Sequence, residues 1–167
     1  MIYLLLVLFQ LKHFFCDYPL QTPYMLGKFK GGREWILPLS AHALVHLVGT
    51  WIIASFYLIV TGKLHDHQLL PIGLGLLDFV LHFAMDRIKA SPNLLGRYKS
   101  LDANCYPGVA QMAEGNMPVA VIGEEYKQKV TWARQRLKEN TYFWWALGLD
   151  QGVHHLTHYL IIGILLS

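Results

Sequence analysis

Four strongly apolar stretches dominate this chain. Each is long enough, or nearly so, to cross a bilayer as a helix, which takes roughly 17–25 residues. They run from about Ile2 to Leu20, Ile36 to Val60, Leu69 to Ile88 and Tyr142 to Leu166. Breakers or charge bound them: Pro19 and Pro23 after the first, Thr61-Gly62-Lys63 after the second, Ser91-Pro92 after the third. The first stretch has neither a basic start nor an A-x-A cleavage site, so a retained span is expected rather than a signal peptide. The expected fold class is all-α: a polytopic membrane protein with four transmembrane helices in a bundle. Residues 1–167 then form one integral membrane domain, with a cytoplasmic helical insert at about 90–141 between spans three and four. Composition agrees, with 54% hydrophobic and 15% charged residues against roughly 25% charged in soluble domains. That balance excludes intrinsic disorder and argues against a freely soluble protein.

Lys and Arg counts set the expected orientation. The first loop carries Lys28, Lys30 and Arg33. The third connection carries Arg87, Lys89, Arg97, Lys99, Lys127, Lys129, Arg134, Arg136 and Lys138, whereas the second loop has only Lys63. The first loop and third connection should therefore be cytoplasmic and both termini should lie on the outer side. In the third connection, Tyr126, Val130, Ala133 and Leu137 are spaced as on one face of a helix over Glu124–Asn140. Packing of that helix on the spans is favoured over its lying on an anionic inner leaflet. The formal net charge of +3 is too small to argue for nucleic acid. Cys16 and Cys105 form neither a disulfide framework nor a CxxC zinc pattern.

Nine histidines need explaining in such a chain, and their spacing is ordered. Residues four apart share a helix face. Span one has His13 and Asp17, span two His42 and His46, span three His82 and Asp86, and span four Asp150 and His154. Charged groups at the bilayer centre cost about 2.5–3.5 kcal/mol each on insertion scales, so they are usually interior and functional. With odd spans ending and even spans beginning at the cytoplasmic face, all four pairs fall within roughly 5–20 Å of that face at about 1.5 Å per residue. They can meet in one layer. A single pair is as readily a hydrogen-bonded helix contact as a ligand pair. For the four together, a metal centre is favoured over a proton relay or a structural polar network. Five imidazoles and three carboxylates exceed what one zinc takes and suit two divalent ions, as in dimetal four-helix bundles. Nitrogen and oxygen donors without Cys favour zinc, with manganese or iron as alternatives.

Other polar residues carry weaker expectations. Asp78, four before His82, is a candidate partner for it or faces a polar interior. Gln21 and Gln151 are candidates to hydrogen-bond ligands or substrate. Lys12, Lys28, Arg87 and Lys89 are expected at the cytoplasmic rim, as topology signals and headgroup contacts rather than phosphate ligands. His158 continues the His154 face one turn deeper, beside His155. His65-Asp66-His67 is expected to be solvated, and Cys16 to be a small packing residue.

The runs His13-x3-Asp17-x3-Gln21, His42-Ala43-Leu44-Val45-His46, His82-Phe83-x2-Asp86-x2-Lys89 and Asp150-Gln151-x2-His154 resemble a known pattern. It is that of the bacterial and phage membrane proteins grouped as the domain-of-unknown-function 3307 family. The likeness covers roughly residues 3–50, 74–90 and 145–166 and leaves Ser91 to Asn140 uncovered. More loosely, the pattern is similar to predicted membrane-bound metal-dependent hydrolases. That resemblance implies a chemistry, a bacterial inner membrane location and no particular substrate.

The expected function is accordingly an integral membrane metal-dependent hydrolase acting on a lipid-linked phosphoester or similar amphiphile from the inner leaflet. His13, Asp17, His42, His46, His82, Asp86, Asp150 and His154 form the candidate ligand set. Asp17 or Asp150 is the candidate general base. Gln21, Arg87, Lys89 and Gln151 are candidates to hold substrate, the last three its anionic leaving group. A di-iron membrane oxygenase and a metal-ion or proton transporter are the alternatives, and a polar network that only holds the bundle is a third. A transporter site should lie near the midplane with access from both sides. The bilayer is the expected partner, and a homo-oligomer is compatible with four spans.

Overall fold

The computed structural model describes residues 1–29, 32–91, 93–98 and 141–167. Among these the secondary structure is helical throughout, in agreement with the all-α expectation. The long helices are α1 (Ile2–Asp17), α2 (Ile36–Val60), α3 (Leu70–Ala90) and α4 (Thr141–Leu166), with 3-10 turns at Met25–Phe29 and Leu95–Tyr98. The expected insert helix at Glu124–Asn140 lies outside the described residues.

The helix ends follow local chemistry. The first helix stops at Asp17, three residues short of the expected limit, because Pro19 has no amide proton to donate to Phe15 O, which accepts from Leu20 instead. At the end of α2, Gly62 adopts φ 72°, a left-handed conformation that glycine tolerates without strain. There the amide of Gly62 donates to Ile59 O and that of Lys63 to Leu58 O, closing carbonyls the helix leaves open. Proline in the first turn of α3 costs no helical hydrogen bond. Ser91, extended before Pro92, ends that helix.

The helices form a ring: α1 packs on α2 and α4, and α3 packs on α2 and α4, with α2–α3 the most extensive pair. Two glycines permit close approach. A Cβ at Gly49 would lie 2.8 Å from Lys12 Cγ, and one at Gly75 would lie 3.0 Å from the Leu47 carbonyl oxygen.

Polarity is distributed inside out. Outward positions such as Val7, Phe14, Trp51, Ile52, Phe56, Val80, Leu156 and Leu160 are exposed, while Lys12, Lys28, Asp78, Asp86, Asp150 and six histidines (His13, His42, His46, His82, His154, His158) are buried. The interior is layered at four-residue steps on every helix. At one end of the bundle stand Asp17, His42, Asp86 and Asp150, and one turn deeper come His13, His46, His82 and His154. Below these are Thr50, Asp78 and His158, joined by Lys12. The far half is closed by apolar side chains including Leu5, Phe9, Ala54, Leu58, Leu74 and Ile162.

Among the described residues, length and hydropathy alone qualify one helix, Ile36–Val60, to cross a membrane. The first helix has 16 residues, and α3 and α4 carry the inward polar residues that dilute their apolar character.

Candidate metal centre

The four i, i+4 pairs converge because each helix turns its polar face to the bundle axis. Two groups of donors result, Asp17, His42, His46 and His82 in one, and His82, Asp86 and His154 in the other. Within each group the donor atoms lie within 4.8 Å of one another, close enough to hold a metal ion.

In the first group, Asp17 Oδ1 is 3.0 Å from His46 Nε2, 3.4 Å from His42 Nε2 and 3.9 Å from His82 Nε2. The Nε2 atoms of His42 and His82 are 3.4 Å apart. Tetrahedral zinc with nitrogen ligands at about 2.0–2.1 Å places neighbouring donors about 3.3 Å apart, so these spacings fit such a set. The donors also make poor company for one another alone. Three imidazole nitrogens crowd one carboxylate oxygen, and the Nδ1 atoms of His42, His46 and His82 have no hydrogen-bond partner among the described residues. A cation would use every Nε2 lone pair at once.

In the second group, Asp86 Oδ2 is 3.3 Å from His42 Nε2 and 3.9 Å from His82 Nε2, and Asp86 Oδ1 is 3.8 Å from His154 Nε2. Six of the eight expected ligands thus fall in the two groups. His13 and Asp150 stand at their edge. His13 Nε2 is 3.2 Å from Asp17 Oδ2 and also 3.2 Å from Gln151 Oε1. Asp150 Oδ1 is 3.2 Å from His154 Nε2, while its Oδ2 accepts hydrogen bonds from Lys89 at 2.6 Å and Gln151 at 3.2 Å.

Two of the four lysine and arginine residues expected at the rim are instead inside. Lys12 is buried and donates to Asp78 at 2.5 Å, where Thr50 also donates at 2.5 Å, and its ammonium is 3.4 Å from His158 Nε2. Asp78 is therefore committed to Lys12 rather than to His82. Lys28 is buried and donates to Asp86 at 2.7 Å and to Gln21 at 3.1 Å, which makes Lys28 the partner of Gln21. A buried carboxylate holds each lysine, because an unpaired charge there is strongly unfavourable. Arg87 is half-buried and stacks its guanidinium 3.9 Å from the Trp35 ring centre. His65 and Asp66 are exposed, as expected. Cys16 packs in the core, its thiol 3.8 Å from Val45 O, and His155 Nδ1 is 3.2 Å from Gln10 Nε2.

Thr50 and Lys12 had no place in the expected site. Thr50 was legible as the next step of the His42–His46 ladder. Lys12 lies off that ladder and reaches its partner only by the length of its stem. Comparison with protein-family models, curated proteins and solved structures finds no match for the chain.

Proposed function

We propose that the chain is an integral membrane metal-dependent hydrolase whose four long helices all cross the bilayer. Its substrate would be a lipid-linked phosphoester or a similar amphiphile entering at the end of the bundle where Asp17, Asp86 and Asp150 lie. The observation that carries this reading is the convergence of Asp17, His42, His46 and His82 from three helices at metal-ligand spacing. The membrane part is supported by the apolar exterior around a polar interior. Lipid satisfies such a surface and water does not. The motif resemblance to membrane-bound hydrolases points the same way.

Asp17, His42, His46 and His82 would hold one divalent ion, and Asp86 and His154, with Asp150, a second. Such ions polarise the bond under attack and lower the pKa of a bound water. Between the two candidate bases, Asp150 suits the role better. Its Oδ2 is fixed by Lys89 and Gln151, and its buried Oδ1 faces His154 Nε2 at 3.2 Å. Taking a proton on that oxygen would be an alternative to its holding the second ion. Asp17 has its oxygens turned to four imidazoles and acts as a ligand. Gln151 holds His13 in place from the next helix. A transporter is the weaker reading, because the polar interior ends blindly on the apolar layer of Leu5, Leu58, Leu74 and Ile162.

Metal analysis of the purified protein tests the proposal, with Asp17→Ala, His46→Ala and Asp150→Ala alongside. Stoichiometric metal in the wild type, lost on replacing Asp17 or His46, is the expected result. A folded wild type that carries none and takes up none from a zinc, manganese or iron solution would refute it.

A further inference from the structure

Lys28 belongs to neither helix ladder, yet it reaches the centre of the site. It sits in the short 3-10 turn between α1 and α2, 5% exposed, with its ammonium on Asp86 Oδ2 at 2.7 Å. That oxygen also faces the imidazoles, 3.3 Å from His42 Nε2. A lysine ammonium and a divalent ion cannot comfortably share one carboxylate oxygen, since both are cations and the oxygen has limited lone-pair directions. Two of the three ammonium protons are used, on Asp86 and Gln21.

On the metal-centre reading above, we propose that Lys28 is a resident counter-cation of the site. A divalent ion that takes Asp86 displaces its ammonium, which then holds the phosphate-type oxyanion of the substrate. The side chain is suited to that exchange. Its stem is flexible, and it springs from a short turn, so its movement leaves the packing of the long helices alone. Lys89 is the second arm, on Asp150 Oδ2 at 2.6 Å. Asp86 and Asp150 both face His154 Nε2, at 3.8 and 3.2 Å. The two ammoniums therefore flank one pair of carboxylates, and an oxyanion between them would meet both. A residue that merely orients Asp86 would instead remain bound to it with the metal in place.

The experiment uses the full chain in detergent, stripped of metal and then titrated with zinc. In the wild type, acylation of Lys28 by an amine-reactive reagent, read by mass spectrometry, should rise at least about tenfold on zinc loading. Lys28→Met should bind zinc about tenfold more tightly than wild type, whereas loss of a residue that orients a ligand weakens metal binding by about 10–100-fold. Zinc-dependent binding of the oxyanion should disappear in the same variant. Inorganic phosphate and nanodiscs containing phosphatidate, against phosphatidylcholine nanodiscs, separate a free anion from a lipid headgroup. Binding of either that depends on Lys28 supports the proposal. It is overturned if Lys28 stays protected when zinc binds, if Lys28→Met binds zinc no more tightly, or if neither oxyanion binds. A wild type that takes up no zinc overturns the metal reading as well. One that binds zinc while Lys28 stays protected sinks the lysine exchange alone.

Discussion

The Nε2 atom of His82 lies 3.4 Å from that of His42, and the His82 ring is stacked between those of His46 and His154 at 3.5 and 4.0 Å. His82 consequently belongs to both donor groups. A neutral imidazole nitrogen has one lone pair to give, so His82 serves one ion at a time. Two ions present together must divide the donors unequally. The first keeps Asp17, His42, His46 and His82. The second rests on Asp86 and His154 and needs Asp150, whose Oδ1 is 3.2 Å from His154 Nε2.

Asp150→Asn should therefore lose the weaker ion and keep the tighter one, while His82→Ala should weaken the tighter one and leave the other in place. Metal titration with an indicator dye, followed by elemental analysis after gel filtration, separates these outcomes. Retention of both ions in Asp150→Asn would show that His154 and Asp86 suffice for the second.

The Lys12–Asp78 pair ties the layer beneath the site. One residue comes from each helix: Lys12, Thr50, Asp78 and His158. Removing one partner of a buried pair typically costs about 3–5 kcal/mol, whereas replacing both by apolar residues is often neutral. Lys12→Met should thus be strongly destabilising, and the double variant Lys12→Met, Asp78→Leu should recover most of the loss. Equilibrium unfolding in detergent reads both. An undiminished Lys12→Met would mean that Asp78 is solvated.

What the sequence disclosed and what it concealed divide along one physical line. Periodicity reports which face of a helix a residue occupies, so the pairs from His13–Asp17 to Asp150–His154 were readable, as were helix ends marked by Pro19, Gly62 and Pro92. Periodicity does not report how long side chains cross between helices. Lys12 lies next to His13 in the chain, about 100° around the helix, and joins the interior only because its stem reaches Asp78. Lys28 sits in a turn, where no period applies, and a count of loop cations assigns it to the rim. Nor does spacing reveal donor directions, so the double use of His82 was hidden. Hydropathy disclosed four apolar stretches, but among the described residues only α2 qualifies on length and hydropathy alone. The inward polar residues of α3 and α4 are what lower their averages.

Close packing of α1 on α2 depends on Gly49. A Cβ there would lie 2.8 Å from Lys12 Cγ, near the root of the stem, where the side chain cannot easily move aside. Gly49→Ala should cost about 1–3 kcal/mol, the usual range for overpacking. Gly73→Ala, in α3 with nothing within 4 Å of its Cβ, should be neutral or stabilising by up to about 1 kcal/mol, since alanine favours helix. Thermal unfolding in one detergent compares them directly. Equal effects at the two positions would contradict the close approach.

The exterior offers the sharpest test of membrane insertion. Ile52 lies in the second half of α2 and is 55% exposed, so its replacement disturbs neither the donors nor the core. On a water-facing surface, Ile52→Asp would change stability by no more than about 0.5 kcal/mol. At the centre of a bilayer-spanning helix, aspartate costs about 2.5–3.5 kcal/mol. That difference is roughly a hundredfold in the insertion equilibrium, at about 1.4 kcal/mol per tenfold. The inserted fraction, measured by protease protection and alkaline extraction of membrane vesicles, should fall accordingly. Lys63→Asp, in the exposed turn after α2, should leave it unchanged. Wild-type insertion of Ile52→Asp would mean that this face meets something other than lipid tails, and the four-span reading would have to give way to one in which α2 is covered by protein.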